Sequence, residues 1–182
     1  MKGIIFNLVE EAVTARHGED AWDQVLDRAG VTGAYTSLEL YPDEELRALV
    51  ASGAELLDTD PGELTRWLGH EALLGLAERY PHFFAPHAST RPFLLTLNDV
   101  IHPEVRKLHV NADPPDFGFD EGEGDALLLT YASRRRLCDL AVGMIDGAAT
   151  HFRETSRLTH DVCMKDGAEA CVLTVSFAPA HA

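Results

Sequence analysis

Two adjacent prolines near the middle of the chain divide it into parts of different character. Pro114 and Pro115 cannot donate backbone hydrogen bonds, and with their flanking aspartates they end regular structure there. Before them, apolar residues recur at helical spacing; after them, short apolar runs predict strands around one helix. The sequence therefore predicts an α+β fold in one domain, residues 1–182. A helical N-terminal lobe is expected over about residues 1–60, and a C-terminal lobe with a small antiparallel sheet and helices over about 61–182.

The individual elements follow from periodicity and end signals. Asp60 has N-cap spacing ahead of Pro61, and the last two strands are expected to form a hairpin bent near Gly167. The acidic stretch 116–125 is expected to be a solvated loop. Helices are predicted at 4–14, 19–29, 42–52, 61–79, 93–108 and 137–152, and strands at 126–133, 156–163 and 170–177.

The charge balance argues against two classes of partner. Thirty acidic and 15 basic residues give a formal net charge of −15, which repels nucleic-acid phosphates and anionic lipid, so neither nucleic acid nor membrane is expected as a partner. The apolar run from Ile4 to Val9 is too short for a signal peptide. A cytoplasmic location is expected, where the three cysteines are thiols or metal ligands rather than disulfides.

A row of hydrogen-bond donors is predicted at the end of the first strand. Alternate residues of a strand share a face, so Tyr131, Ser133 and Arg135 are expected to point the same way. A phenol, a hydroxyl and a guanidinium in one row suit the binding of carboxylates. An amphipathic strand with a solvated polar face gives the same pattern, so both interpretations stay open.

One histidine stands on an apolar predicted helix. His102 lies beside Leu95, Asn98 and Val105 at helical spacing. A neutral imidazole there can ligate a metal, and histidine is a usual proximal ligand of haem iron. A satisfied core or surface histidine is the alternative.

Together these features resemble the haem-nitric oxide/oxygen binding (H-NOX) family. His102, Pro114-Pro115 and the Tyr-x-Ser-x-Arg motif at 131–135 carry the resemblance, which runs from Met1 through the final strand. It implies a haem b between the two lobes, with His102 as proximal iron ligand. It also implies that Tyr131, Ser133 and Arg135 hold the propionates and that Pro115 presses on the porphyrin.

The family's ligand choice depends on the distal wall. Oxygen-binding members carry a tyrosine nine positions after the first residue of the motif, and here that position is Leu140. Bound dioxygen needs a hydrogen-bond donor, whereas nitric oxide and carbon monoxide need one much less. The resemblance therefore implies a sensor that binds nitric oxide, and also carbon monoxide, and excludes oxygen. The expected neighbours of Leu140 are all apolar: Ile5, Val9, Leu73, Leu76 and Met144. Three tyrosines stay open as alternative donors: Tyr35, Tyr41 and Tyr80.

All three cysteines fall in the C-terminal part of the chain. In a hairpin bent near Gly167, Cys163 and Cys171 face one another, close enough to share a metal with Cys138 and His160. Three thiolates and one imidazole match a closed tetrahedral zinc site, provided that a bend or bulge turns His160 to the face of Cys163. Buried inert cysteines, or a disulfide between Cys163 and Cys171, are the alternatives. A subset of bacterial H-NOX proteins has the same pattern, which implies zinc binding and a response to thiol oxidation.

The chain has no kinase or cyclase signature and is not expected to be an enzyme. The resemblance implies that nitric oxide weakens the iron bond to His102, that the His102 helix then shifts, and that a separate signalling protein reads the shift. By family analogy that protein is a histidine kinase of a two-component system, or a diguanylate cyclase or phosphodiesterase. Two other classes stay open: a redox sensor acting through the thiolate–zinc site with haem secondary, and a haem enzyme that consumes nitric oxide.

Overall fold

The computed structural model describes residues 1–108 and 111–180. No helix among them is both long enough and apolar enough to span a membrane. The α-helices are α1 (Gly3–His17), α2 (Glu19–Ala29), α3 (Asp43–Leu57), α4 (Pro61–Arg79), α5 (Pro81–Phe84), α6 (Thr90–Leu94), α7 (His102–Leu108) and α8 (Cys138–His151). A π-helical segment covers Leu97–Ile101, and a 3-10 turn covers Met164–Asp166.

Four strands form one antiparallel sheet. They are β1 (Asp116–Glu121), β2 (Leu127–Ala132), β3 (Glu154–Val162) and β4 (Cys171–Pro179), in the order β1-β2-β4-β3. The mixed fold with helices and a small antiparallel sheet confirms the predicted fold class.

Two apolar cores meet at α4. This helix begins as predicted, because the Asp60 carboxylate accepts hydrogen bonds from the backbone N–H groups of Gly62 and Glu63. Its first half packs Leu64 and Leu68 into a core built by α1 to α3. Its second half packs Leu73 and Ala77 into the core that covers the sheet. The helix therefore contributes to both parts of the molecule.

Glycines allow α4 and α8 to cross at very short range. A Cβ atom added to Gly143 would lie 1.9 Å from the carbonyl oxygen of Arg66, and one added to Gly69 would lie 2.3 Å from that of Leu140. Neither position accepts a side chain without moving a backbone. The crossing thus fixes Leu140 close to α4.

The predicted helix over 93–108 is wrong as a single element. The structure divides it into α6, the π-helical segment and α7. The backbone N–H of His102 bonds to the carbonyl of Leu97, five residues back, and Pro103 has no N–H with which to resume α-helical bonding to Asp99. The helix therefore widens immediately before its proline.

The acidic stretch after the prolines is also not the predicted solvated loop. Its first six residues form β1, the edge strand that pairs with β2. Phe117 and Phe119 pack against the core while Asp116 and Asp120 are exposed, so the stretch alternates as a half-buried strand does. The predicted strand 126–133 is shorter at both ends, and the predicted helix 42–52 continues to Leu57.

Candidate functional site

His102 opens α7, directly after the π-helical segment, and is almost fully buried, with 9% of its surface exposed. Burial, aided by the nearby Arg106 guanidinium, lowers the pKa of His102 to about 4, so the ring is neutral at pH 7. Its Nδ1 atom is buried and has no hydrogen-bond partner among the described residues. An uncharged buried imidazole with an unsatisfied nitrogen has the chemistry of a metal ligand.

The ring of Phe117 lies between His102 and Tyr131. The Phe117 and His102 ring centroids are 5.8 Å apart, and those of Phe117 and Tyr131 are 5.6 Å apart. Phe117 and Tyr131 are directly opposed on β1 and β2. The sequence reasoning missed Phe117 because it took this stretch for a loop. The alternation Phe117, Gly118, Phe119 between two aspartates is the signal that marks the strand.

The donor motif is only partly on a strand. Tyr131 is buried near the end of β2, and burial raises the pKa of its hydroxyl to about 12. The strand ends at Ala132, so Ser133 and Arg135 lie in the turn before α8 and strand alternation does not place them. The Ser133 Oγ atom accepts a hydrogen bond of 3.3 Å from the backbone N–H of Arg135, the local bonding typical of a serine turn.

Arg135 makes its contacts with acidic residues from both parts of the chain. Its Nε atom lies 3.0 Å from Asp43 Oδ1 on α3. Its Nη1 atom donates to the carbonyl oxygen of Asp113 at 2.6 Å and lies 3.3 Å from that residue's carboxylate. The Arg135 side chain is 17% exposed, so its charge is partly shielded from water. These contacts occupy Nε and Nη1, and a guanidinium has a third nitrogen, Nη2, with which to bind a further carboxylate.

The predicted distal residues are all in apolar surroundings, but the structure distributes them over separate groups. Ile5, Leu76 and Met144 pack against one cluster, and Tyr80 packs against the same cluster. Leu140 and Val9 line a cavity of about 210 Å³ between α1, α3, α4 and α8. His102 does not line that cavity. Pro115 is half-buried just before β1, and Leu73 belongs to the sheet core.

Two of the alternative tyrosine donors are already engaged elsewhere. The Tyr35 hydroxyl donates to Glu45 at 2.9 Å, and the Tyr41 hydroxyl lies 3.2 Å from the Glu39 carboxylate, to which it can donate. Tyr80 is the tyrosine that shares the cluster with Ile5 and Met144.

These residues fit a haem. A neutral imidazole like that of His102 is able to ligate iron, the phenol of Tyr131 and the guanidinium of Arg135 are donors of the kind that propionates accept, and the apolar cluster beside Ile5 and Met144 matches the chemistry of a porphyrin face.

A second site lies where the hairpin of β3 and β4 meets α8. The cysteine cluster consists of Cys138, Cys163 and Cys171, all free thiols whose sulfur atoms lie within 4.8 Å of one another. The Sγ atom of Cys138 is 3.2 Å from that of Cys171 and 3.9 Å from that of Cys163. Burial raises the pKa of Cys138 and of Cys171, so both thiols are protonated at pH 7 without a metal.

Backbone donors point at the same sulfur atoms. The N–H of Met164 lies 3.3 Å from Cys171 Sγ, and the N–H of Lys165 lies 3.4 Å from Cys163 Sγ. Lys165 also pairs with Asp139, the residue after Cys138. Such donors stabilise a thiolate relative to a thiol. They therefore favour three thiolates bound to a metal over three protonated thiols at this position.

His160 is beside the cluster but is not part of it. The described group of mutually close ligand atoms contains the three cysteines without His160. A β-bulge lies between His160 and Val162, so His160 pairs with Leu173, and Val162 pairs with Val172. His160 therefore lies on the face of Leu173 and Cys171, and the extra residue after it is the bulge that the four-ligand prediction calls for. Its Nε2 atom is buried without a hydrogen-bond partner among the described residues.

Comparison with known proteins gives concordant results. The family model described as Haem-NO-binding matches residues 2–160. An H-NOX protein from S. oneidensis in the Fe(II)NO ligation state has 32% sequence identity and a TM-score of 0.91, with 98% of this chain and 99% of that one covered. An H-NOX domain from Shewanella oneidensis in the Fe(II)CO ligation state has a TM-score of 0.88 and 32% identity, with 98% of this chain and 99% of that one covered. A point mutant of the T. tengcongensis H-NOX protein has 25% identity and a TM-score of 0.84 over the full length of both chains.

No curated protein matches the chain in a sequence search. The family model and the solved structures nevertheless agree on one assignment over almost the whole length. The chain therefore belongs to the Haem-NO-binding, or H-NOX, family, whose members are haem-based gas sensor domains.

Proposed function

We propose that this chain is a cytoplasmic nitric oxide sensor in which His102 ligates the iron of a haem b. The observation that carries the proposal is the buried, neutral imidazole of His102, whose Nδ1 has no partner among the described residues. The ring of Phe117 contacts the ring of His102 and also that of Tyr131, the first residue of the donor motif. When bound, haem supplies a ferrous iron that binds diatomic gases.

Each side chain around this ring has a separate role. Tyr131, Ser133 and Arg135 bind the propionates, because a phenol, a hydroxyl and a partly shielded guanidinium are the donors that carboxylates need. Pro115, just before β1, bears on the porphyrin, and the distal side is apolar, with Ile5 and Met144 from one apolar cluster and Leu140 from the neighbouring part of α8.

Replacing the ligand tests the haem assignment. His102→Gly should abolish the ferrous haem spectrum of the purified protein, and added imidazole should restore it. His151→Gly, at the exposed end of α8, is the matched control and should leave the spectrum unchanged. A His102→Gly protein with an unaltered spectrum would show that another residue binds the iron.

Gas selectivity follows from the donors available on the distal wall. The side chains of Leu140, Ile5 and Met144 have no hydrogen-bond donor group. Bound dioxygen is therefore not stabilised, whereas nitric oxide and carbon monoxide bind without such a donor. In support, related H-NOX structures carry nitric oxide and carbon monoxide. An aerobic spectrum of the ferrous protein should show no stable oxygen complex.

Tyr80 is the residue to control for, because it packs against the same apolar cluster. If an oxygen complex does form, the proposed selectivity is wrong. Loss of that oxygen complex in Tyr80→Phe would then identify the Tyr80 hydroxyl as the hydrogen-bond donor.

The output is a movement of the His102 segment, defined as Leu97–Ile101 and α7 together. A separate protein reads its position: a histidine kinase, or a diguanylate cyclase or phosphodiesterase. The sensor itself is not an enzyme. Kinase autophosphorylation should change when the sensor is loaded with nitric oxide, and steady consumption of nitric oxide by the sensor would instead indicate the haem-enzyme alternative.

The cysteine cluster holds zinc, with His160 as fourth ligand. Three sulfur atoms within 4.8 Å, two backbone donors and a buried unpartnered His160 Nε2 support this assignment. Since burial keeps Cys138 and Cys171 protonated without metal, zinc binding should release protons and weaken as the pH falls.

Metal analysis tests the zinc site directly. The reduced protein should contain one zinc ion per chain, lost in Cys163→Ser and held more weakly in His160→Gln, while His151→Gln keeps it. Absence of zinc from the wild-type protein would leave the cysteines as buried inert thiols.

The same site carries the second candidate function, a redox sensor. Cys163 is the half-exposed member of the cluster, so oxidants reach it first. This function predicts that oxidised, haem-free protein still regulates its partner. A partner that responds only to the haem-loaded protein would exclude it.

A further inference from the structure

We propose that Asn98 is a positioning residue for His102, because its carboxamide fixes the His102 segment to the free edge of the sheet. The inference rests on the proposed function in taking His102 as the iron ligand. It concerns a residue for which neither the donor motif nor the cysteine pattern has a role.

The contact is a two-point hydrogen bond. Asn98 Nδ2 donates to the carbonyl oxygen of Phe117, and the backbone N–H of Phe117 donates to Asn98 Oδ1 at 3.3 Å. A carboxamide that binds both groups of one residue replaces a neighbouring strand at that position. Asn98 therefore satisfies the outward-facing backbone groups of the β1 edge at one residue, Phe117.

The sheet register explains why Phe117 is available for this contact. β1 is an edge strand, paired with β2 alone in the described sheet. Phe117 is opposed to Tyr131, and its N–H and C=O both reach Asn98, so both point away from β2. Residues opposed without mutual hydrogen bonds have closely approaching side chains, which is consistent with the 5.6 Å between these two rings.

The π-helical segment brings Asn98 to the sheet. Asn98 and His102 are four residues apart, and the widened turn between them contacts β1. Phe117 thus touches the segment twice, through its backbone at Asn98 and through its ring at His102. These contacts set where the imidazole lies relative to Tyr131. Without the carboxamide bonds only ring packing remains, and ring packing is less directional than two hydrogen bonds.

Two variants separate hydrogen bonding from packing. Asn98→Ala removes the side chain, and Asn98→Leu keeps its approximate volume while removing both hydrogen bonds. Asp99→Asn, an exposed change in the same π-helical segment, is the control. In the haem-free protein we expect hydrogen exchange of the Phe117 amide to accelerate about tenfold in both Asn98 variants and to stay unchanged in the control.

In the haem-loaded ferrous protein, the iron–histidine stretching band in resonance Raman spectra measures the position and bonding of the imidazole. We expect this band to broaden and move to lower frequency in both Asn98 variants and to match the wild type in Asp99→Asn. Unchanged Phe117 exchange, or an unchanged band alongside faster exchange, would overturn the inference. An effect in Asn98→Ala alone would also overturn it, since volume and not bonding would then be responsible. A band that survives in His102→Gly would overturn the proposed function itself.

Discussion

Asp43 joins three parts of the chain through one carboxylate. Its Oδ1 atom lies 2.6 Å from the Met1 ammonium and 3.0 Å from Arg135 Nε. Burial alone would raise the pKa of Asp43, but the two cations outweigh burial and hold it below its usual range. Arg135 in turn contacts Asp113, just before the two prolines. Asp43 and Asp113 thereby set the position of the guanidinium proposed to bind a propionate.

Replacing this carboxylate should change how stability depends on pH. We expect Asp43→Asn to lower the free energy of unfolding of the haem-free protein by about 1–2 kcal/mol at pH 7, a value discounted for partial exposure. Because folding lowers this pKa, the stabilisation is complete above the unfolded-state value of about 3.9 and is lost as the pH falls through the native pKa.

Urea unfolding between pH 2.5 and 7 measures the difference. The exposed Glu44→Gln on the same helix is the control, with an expected effect under about 0.5 kcal/mol. A difference between Asp43→Asn and wild type that persists unchanged at the lowest pH would contradict the ionic origin of the stabilisation.

Leu140 is the residue at which ligand selectivity should be most easily altered. Leu140→Tyr adds a hydroxyl to the distal side proposed above, where a hydrogen-bond donor stabilises bound dioxygen, so we expect a stable ferrous oxygen complex in air. Leu140→Phe has nearly the same bulk without the hydroxyl and should form none. Similar aerobic spectra for the two variants would show that size, and not hydrogen bonding, governs oxygen binding.

At the scale of elements, the π-helical segment owes its geometry to the proline that follows His102. The N–H groups of Ile101 and His102 bond five residues back, and Pro103 has none. In Pro103→Ala a new N–H becomes available to the carbonyl of Asp99, so we expect the segment to return to α-helical bonding.

The new amide at position 103 reports the outcome. It should exchange slowly with solvent, whereas the new amide of Pro92→Ala, at the start of α6 where no intrahelical partner is due, should exchange fast. Fast exchange at both positions would mean that the widened turn has another cause.

The crossing of α4 and α8 makes a second prediction at this scale. In Gly143→Ala the added methyl meets the Arg66 carbonyl, and we expect a loss of about 1–3 kcal/mol in the free energy of unfolding. In Gly53→Ala on α3, the nearest atom is a terminal carbon of the Leu64 side chain at 3.1 Å, which can move, so higher helix propensity should offset most of the cost. Equal stabilities in urea would contradict the close crossing.

At the scale of the whole molecule, local signals predicted most elements and failed where tertiary contacts decide. The capped start of α4 and the span of α2 follow from the sequence alone. β1 was missed because its acidic residues resemble a loop, and the edge pairing that makes it a strand is with a distant segment, where Tyr131 opposes Phe117. The π-helical turn was also missed. A proline in a sequence indicates that a helix is interrupted, but it does not indicate that the residues before it adopt π-helical bonding.

The candidate sites divide in the same way. Spacing predicted that the three cysteines meet, and the structure brings them together. The roles of His102, the donor motif and His160 stay predictions, supported by burial and by unpartnered nitrogen atoms. Asn98, Phe117 and Asp43 could not have been identified from spacing, because each acts through a contact between segments distant along the chain.

The bulge in β3 has a consequence for how this domain can vary by insertion and deletion. Asp161 is the extra residue between the His160–Leu173 pair and the Val162–Val172 pair, so deleting it would make these two pairs consecutive and leave His160 on the face of Leu173. The three cysteines would keep their positions on the hairpin and α8. A single-codon deletion at this position would thus remove the irregularity of the strand and spare the proposed metal ligands, whereas an insertion between Val162 and Cys163 would shift Cys163 relative to His160.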